Sequence, residues 1–129
     1  MYITKQEMID RYGEREMMQV ARNINGNNDN ASDAIELAIK DACMEIDGYV
    51  ARQYPLPLAV VSGSLKRAVA VIARYYLWKD KASEQIRQDY EDAIRWLDKV
   101  ASGKVYLVFD DDGGQAGTMT EFVSGAFVI

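Results

Sequence analysis

Histidine is absent from this chain and cysteine occurs once, at Cys43. The first absence removes the commonest general base and metal ligand together. The second rules out an intrachain disulfide, so an oxidising compartment is not implied. Proline is also scarce, with two in 129 residues, which leaves nearly all of the sequence free to be helical. No run of about 18 apolar residues occurs, which excludes a conventional membrane helix. The first residues, Met1-Tyr2-Ile3-Thr4-Lys5, lack the basic-then-apolar layout of a signal peptide, so synthesis in the cytoplasm is expected. Positive charge is in deficit: 15 Lys and Arg face 20 Asp and Glu, a net charge of −5. A phosphate-backbone binder shows the opposite balance, and nucleic acid is not expected as a direct partner.

What is present is ordinary for a globular protein, with 49% hydrophobic and 27% charged residues. The length suits one domain with a self-sufficient core. Thr4-x-x-Glu7 reads as a capping box that opens a short helix to about Tyr12, with Gly13 as its stop. A second short helix is expected over Glu14 to Arg22, followed by an asparagine-rich loop from Asn23 to Asn30. Asp33-x-x-Glu36 reads as another capping box. Behind it Ile35, Ile39, Ala42, Ile46 and Tyr49 or Val50 form one apolar stripe on a helix that runs to about Gln53.

Both prolines fall in Arg52-Gln53-Tyr54-Pro55-Leu56-Pro57-Leu58. Each removes a backbone donor and pushes the preceding residue out of the helical region, so an extended break is forced between two helices. Tyr54, Leu56 and Leu58 keep the break apolar, which predicts a rigid elbow docked on the bundle. Ser62-Gly63-Ser64 can cap the next helix, Leu65 to about Lys79, whose apolar residues leave almost no polar face. Such a helix belongs at the centre of a bundle. Ser83-Glu84 opens the last long helix, with Ile86, Tyr90, Ala93, Ile94, Leu97, Val100 and Ala101 on one face and Gly103 at its end. The predicted fold is all-α: a four- to five-helix bundle over residues 1–104, with a β-hairpin or extended arm over 105–129. Lys104 to Phe109 reads as the first strand of that arm.

Catalytic chemistry finds little support. Asp110-Asp111-Asp112 reads as a solvated acidic turn. The asparagine loop spaces Asn23, Asn25, Asn27 and Asp29 as a calcium loop would, but only one is an acid and position twelve falls on Ala34. Cys43 lies in the stripe region without a basic neighbour and reads as a small core residue. Nothing converges into a nucleophile, base and oxyanion donors, so no enzyme, cofactor or metal site is expected.

Interfaces are the better prospect. Arg74 lies within the most apolar helix, where it is either paired in its own chain, with Asp47 or Asp92 as partners, or set at a subunit contact. Lys66-Arg67 opposes the helix dipole and calls for an acidic partner. Tyr75 and Tyr76 can line an inter-subunit contact. The clearest demand for a partner comes from the segment Thr120 to Ile129, whose Phe122, Val123, Phe127, Val128 and Ile129 accompany one charge, Glu121. It either folds back on Val105 to Phe109 or adds to a neighbour. Arg74, Tyr75, Phe122, Val123, Phe127, Val128 and Ile129 are the candidate interface residues.

Taken in order, several segments resemble one family. They are Tyr2-x-Thr4, Ile9-Asp10-Arg11-Tyr12-Gly13, Ala42-x-x-Glu45-Ile46-Asp47-Gly48-Tyr49 and the elbow Tyr54-Pro55-Leu56-Pro57-Leu58. Leu65-Lys66-Arg67, Ile72-Ala73-Arg74-Tyr75, Tyr90-Glu91-Asp92-Ala93-Ile94-Arg95-Trp96-Leu97 and Ala101-Ser102-Gly103-Lys104 complete the set. Together they resemble the Mu-like bacteriophage virion proteins, a family similar to the small helical head–tail connectors of tailed phages. The resemblance implies a structural subunit of a phage or prophage that forms a ring beneath the portal and meets portal and tail-joining proteins. DNA would pass nearby without specific binding, no membrane would be involved, and assembly into the virion would take place in the bacterial host cytoplasm. An acidic ring wall suits that passage, because repulsion of phosphate lets DNA slide. The alternative is a small acidic helical adaptor that binds one partner protein as a monomer or dimer.

Overall fold

The computed structural model describes residues 2–25 and 31–109. They form five α-helices and one 3-10 turn: α1 (Lys5–Tyr12), α2 (Glu14–Asn25), α3 (Ala31–Val50), α4 (Gly63–Trp78), the turn at Lys79–Lys81, and α5 (Glu84–Ala101).

Most helix starts follow the expected capping chemistry. Thr4 accepts from the Glu7 backbone N–H at 3.2 Å and its own N–H donates to Glu7 Oε1 at 3.1 Å, a complete capping box. Ser62 and Ser83 accept from Leu65 N–H and Ile86 N–H at 3.1 and 3.2 Å. Gly13 and Gly103 close α1 and α5 with φ of 93° and 80°, a backbone region that favours glycine.

Several features differ from expectation, among them the end of α3 at Val50 instead of about Gln53. Helix α2 continues to Asn25, so the asparagine loop is shorter than predicted and its remainder, residues 26–30, lies outside the described residues. Asparagine at a helix end costs little when an apolar face is already docked, and packing outweighs its turn preference. Helix α3 begins at Ala31, which puts Asp33 inside the first turn instead of at the cap. Finally, residues 105–109 carry no strand. Their burial does alternate: Val105 is half-buried, Tyr106 exposed, Leu107 buried and Val108 exposed. The Leu107 N–H is bound by the Tyr54 hydroxyl at 2.9 Å, so a side chain has taken the place of a ladder partner. The rest of the expected hairpin, residues 110–129, lies outside the described residues.

The predicted α4 centre becomes a central pair. Helix α3 packs against α1, α2, α4 and α5, and α4 packs against α2, α3 and α5. The α3 stripe is buried as its spacing demands, with Ile35, Ile39, Ala42, Ile46 and Val50 all at 0% exposure. Leu65, Val69, Ile72 and Ala73 of α4 meet the same core, which Leu97 and Val100 of α5, Met8 of α1 and Met17 of α2 complete.

The elbow, residues 51–62, is only half docked. Tyr54 and Leu58 pack against the core, whereas Pro55, Leu56 and Pro57 are exposed. The Leu56–Pro57 peptide is cis. At the start of the elbow, Gln53 Nε2 donates to the Ala101 carbonyl at 3.0 Å and so ties the segment after α3 to the end of α5.

Candidate functional site

Three surface features remain after the core is accounted for: a polar lock beside α2, an aromatic cluster on α4 and α5, and an apolar groove against the elbow.

The polar lock contains Arg74. Its guanidinium donates from Nε to Glu16 Oε2 at 2.7 Å and from the terminal nitrogen to Oε1 at 3.0 Å, a bidentate pair. Trp78 Nε1 donates to the same carboxylate at 3.0 Å, and the guanidinium stacks over the Tyr12 ring at 4.3 Å from its centroid. Burial pushes the Glu16 carboxyl up, but the hydrogen bonds from Arg74 and Trp78 outweigh it and hold it below the ordinary value. The expected partners of Arg74 were Asp47 and Asp92, and both are occupied elsewhere. Asp47 accepts from the Tyr2 hydroxyl, and Asp92 accepts from Gln88 and Arg95 on the exposed side of α5. Glu16 takes the role because α2 lies along α4 at that level. Thus the charge of Arg74 is satisfied within the chain. Lys66 has its expected acid too, with Glu7 at 3.8 Å.

The aromatic cluster contains Tyr75. Its ring stacks on Tyr90 at 4.2 Å with 13° between planes, and Tyr76 is tilted at 52° to both. The Tyr76 hydroxyl donates to Glu45 of α3, whose carboxyl is pushed up by burial. This is a half-buried seam that joins α3, α4 and α5. Nearby, a mixed-charge cleft of about 570 Å³ is lined by Arg11, Tyr12, Arg67, Asp89, Asp92 and Trp96. Both signs of charge line it, Ser64 supplies a hydroxyl, and no cysteine is among its lining residues. Cys43 is buried, and burial pushes its thiol pKa up, away from reactivity. Among the described residues no group of three or more Cys, Asp or Glu side chains is arranged to hold a metal ion. No helix among them is long and apolar enough to cross a membrane.

The groove was not anticipated. It runs between α3 and the elbow, encloses about 550 Å³, and is lined by Tyr2, Met44, Leu56, Pro57, Leu58 and Val61, with Lys40 at its edge. Met44 is 63% exposed, and Leu37, seven residues earlier on the same face of α3, is 59% exposed. Val60, Tyr106, Val108 and Phe109 add further exposed apolar surface. The signal was present in the sequence: Leu37 and Met44 are apolar, off the stripe, and two helical turns apart. Of the candidate interface residues, Arg74 and Tyr75 belong to separate clusters, while Phe122, Val123, Phe127, Val128 and Ile129 lie outside the described residues.

Known proteins share this sequence over most of its length. The family described as "Bacteriophage Mu, Gp36" matches residues 2–124. The chain is 41% identical over 113 residues to "Mu-like prophage FluMu protein gp36" of Haemophilus influenzae, covering 87% of this chain and 79% of that protein. It is 46% identical over 69 residues to "Gene product J" of Escherichia phage Mu, covering 54% of this chain and 49% of that protein.

Proposed function

The chain belongs to the bacteriophage Mu Gp36 family, and from that premise we propose that it is a structural, non-catalytic subunit of the virion. In this reading it is a head–tail connector that assembles into a homo-oligomeric ring beneath the portal, in the host cytoplasm, and meets portal and tail-joining proteins there. The observation that carries the reading is the exposed apolar surface formed by Leu37, Met44, Leu56 and Val60 on the outer side of α3 and the elbow. A subunit that ends as a monomer has no use for such a surface, whereas an assembling one buries it. The polar chemistry gives the same emphasis, since Arg74, Glu16, Trp78 and Tyr2 are consumed in holding the fold together. A net charge of −5 fits a wall that DNA slides past without sticking.

The test is co-expression with the portal protein of a Mu-like phage, followed by electron microscopy of the purified complex. The proposal expects rings of this chain stacked on the portal. A monomer or dimer that binds a single partner and never forms a ring would instead support the small acidic adaptor.

A further inference from the structure

We propose that the groove between α3 and the elbow is the socket for the apolar segment Phe122 to Ile129 of a second copy of this chain. The choice of a neighbour's segment over the chain's own rests on the ring reading above.

Shape and chemistry both fit an extended apolar peptide. About 550 Å³ falls within the range of roughly 300–1,000 Å³ typical of clefts that take a ligand. Met44, Leu56, Pro57, Leu58 and Val61 supply an apolar lining. Asp47 carries negative charge at the groove, and the Tyr2 hydroxyl binds it. Lys40 is exposed at the edge and pairs with no acid among the described residues. The segment that follows Thr120 has complementary features: Phe122, Val123, Phe127, Val128 and Ile129 are apolar, and its single charge is Glu121. Glu121 on Lys40 would fix the direction of entry, and Phe122 and Val123 would then lie over Met44 and Leu56.

The geometry of departure also favours this socket. Phe109 packs edge-on against Tyr54 at 5.6 Å between centroids, so the arm leaves the bundle at the elbow itself. Residues 110–121 can reach roughly 40 Å when extended, enough to cross to an adjacent subunit. Arm and socket are different surfaces, so their pairing can propagate from subunit to subunit around a ring, and only a reciprocal exchange of arms would close it as a dimer.

Cross-linking of the full chain tests the proposal. Cys43→Ala removes the native thiol, and Met44→Cys with Val123→Cys places one thiol in the socket and one on the arm. Oxidation is followed by non-reducing electrophoresis and native mass spectrometry. The expected result is a ladder of interchain links. Links confined within one chain, or no link, overturn the proposal whatever the assembly state. Unlinked rings leave the ring reading standing without this socket, and linked species that stop at a dimer sustain the socket and overturn the ring. A charge exchange gives a second, gentler readout on exposed residues. Lys40→Glu alone should weaken self-association by roughly threefold to tenfold, and adding Glu121→Lys should restore it, with helical content unchanged. Failure of the second change to restore association overturns the assigned direction of entry.

Discussion

On its inner side α3 buries Ile35, Ile39, Ile46 and Val50 completely, while on its outer side Leu37 and Met44 stand mostly in water. The two faces belong to one helix and use the same kind of residue. The inner face is explained by the fold: its apolar groups repeat at helical spacing and meet α4 and α5. The outer face gains nothing from the fold of the single chain. Polar groups divide in the same way, with Glu16 accepting from Arg74 and Trp78 inside the bundle while Lys40 stands at the groove edge without a described acid. In the proposed reading, the difference separates what this sequence uses to fold from what it would hold for a partner.

The comparison is most sharply tested by truncation on each face. Ile46→Ala leaves a cavity between α3 and its neighbours and should cost about 2–5 kcal/mol, read by urea unfolding. Glu16→Ala comes next, because it leaves the Arg74 guanidinium and the Trp78 N–H without their acceptor at a half-buried site; a loss of about 1–3 kcal/mol is expected. Its pH dependence has a definite sign. The Glu16 carboxyl is held below its unfolded value, so its contribution is full above that value and is lost as pH falls through the lowered one. The stability gap between wild type and Glu16→Gln should therefore narrow from about pH 5 downward, and a gap that widens would contradict the lock. Tyr54→Phe, which removes the acceptor for the Leu107 N–H, should cost about 1 kcal/mol and loosen residues 105–109 in hydrogen exchange. Smallest of all, Met44→Ala should change stability by about 0.5 kcal/mol or less, although it lies only two residues from Ile46.

Local features were legible in the sequence to the extent that their causes are local. Thr4, Ser62 and Ser83 cap helices because a hydroxyl three residues before a free N–H is a short-range arrangement. The stripe from Ile35 to Val50 and the break at Pro55 and Pro57 are equally local. The partner of Arg74 was not legible, because Glu16 lies 58 residues away and only the packing of α2 on α4 selects it over Asp47. Tyr54 illustrates a different limit. Its alternating neighbours Val105 to Val108 read as a strand, yet the phenol hydroxyl occupies the donor that a ladder would have used. The groove is hard to read from sequence because the stripe accounts for one face of α3 and leaves Leu37 and Met44 as isolated surface residues. Their seven-residue spacing, beside an elbow with an exposed Leu56, gives them a shared role.

The central claim, that the outer face of α3 serves assembly and the inner face serves the fold, is tested most directly by sedimentation velocity on the full chain carrying Leu37→Glu and Met44→Glu, with thermal unfolding followed in parallel. The account predicts that wild type self-associates and that the variant sediments as a monomer, while its unfolding midpoint stays within a few degrees. A variant that assembles as wild type does, or one that unfolds before it can be measured, would contradict the division of labour between the two faces.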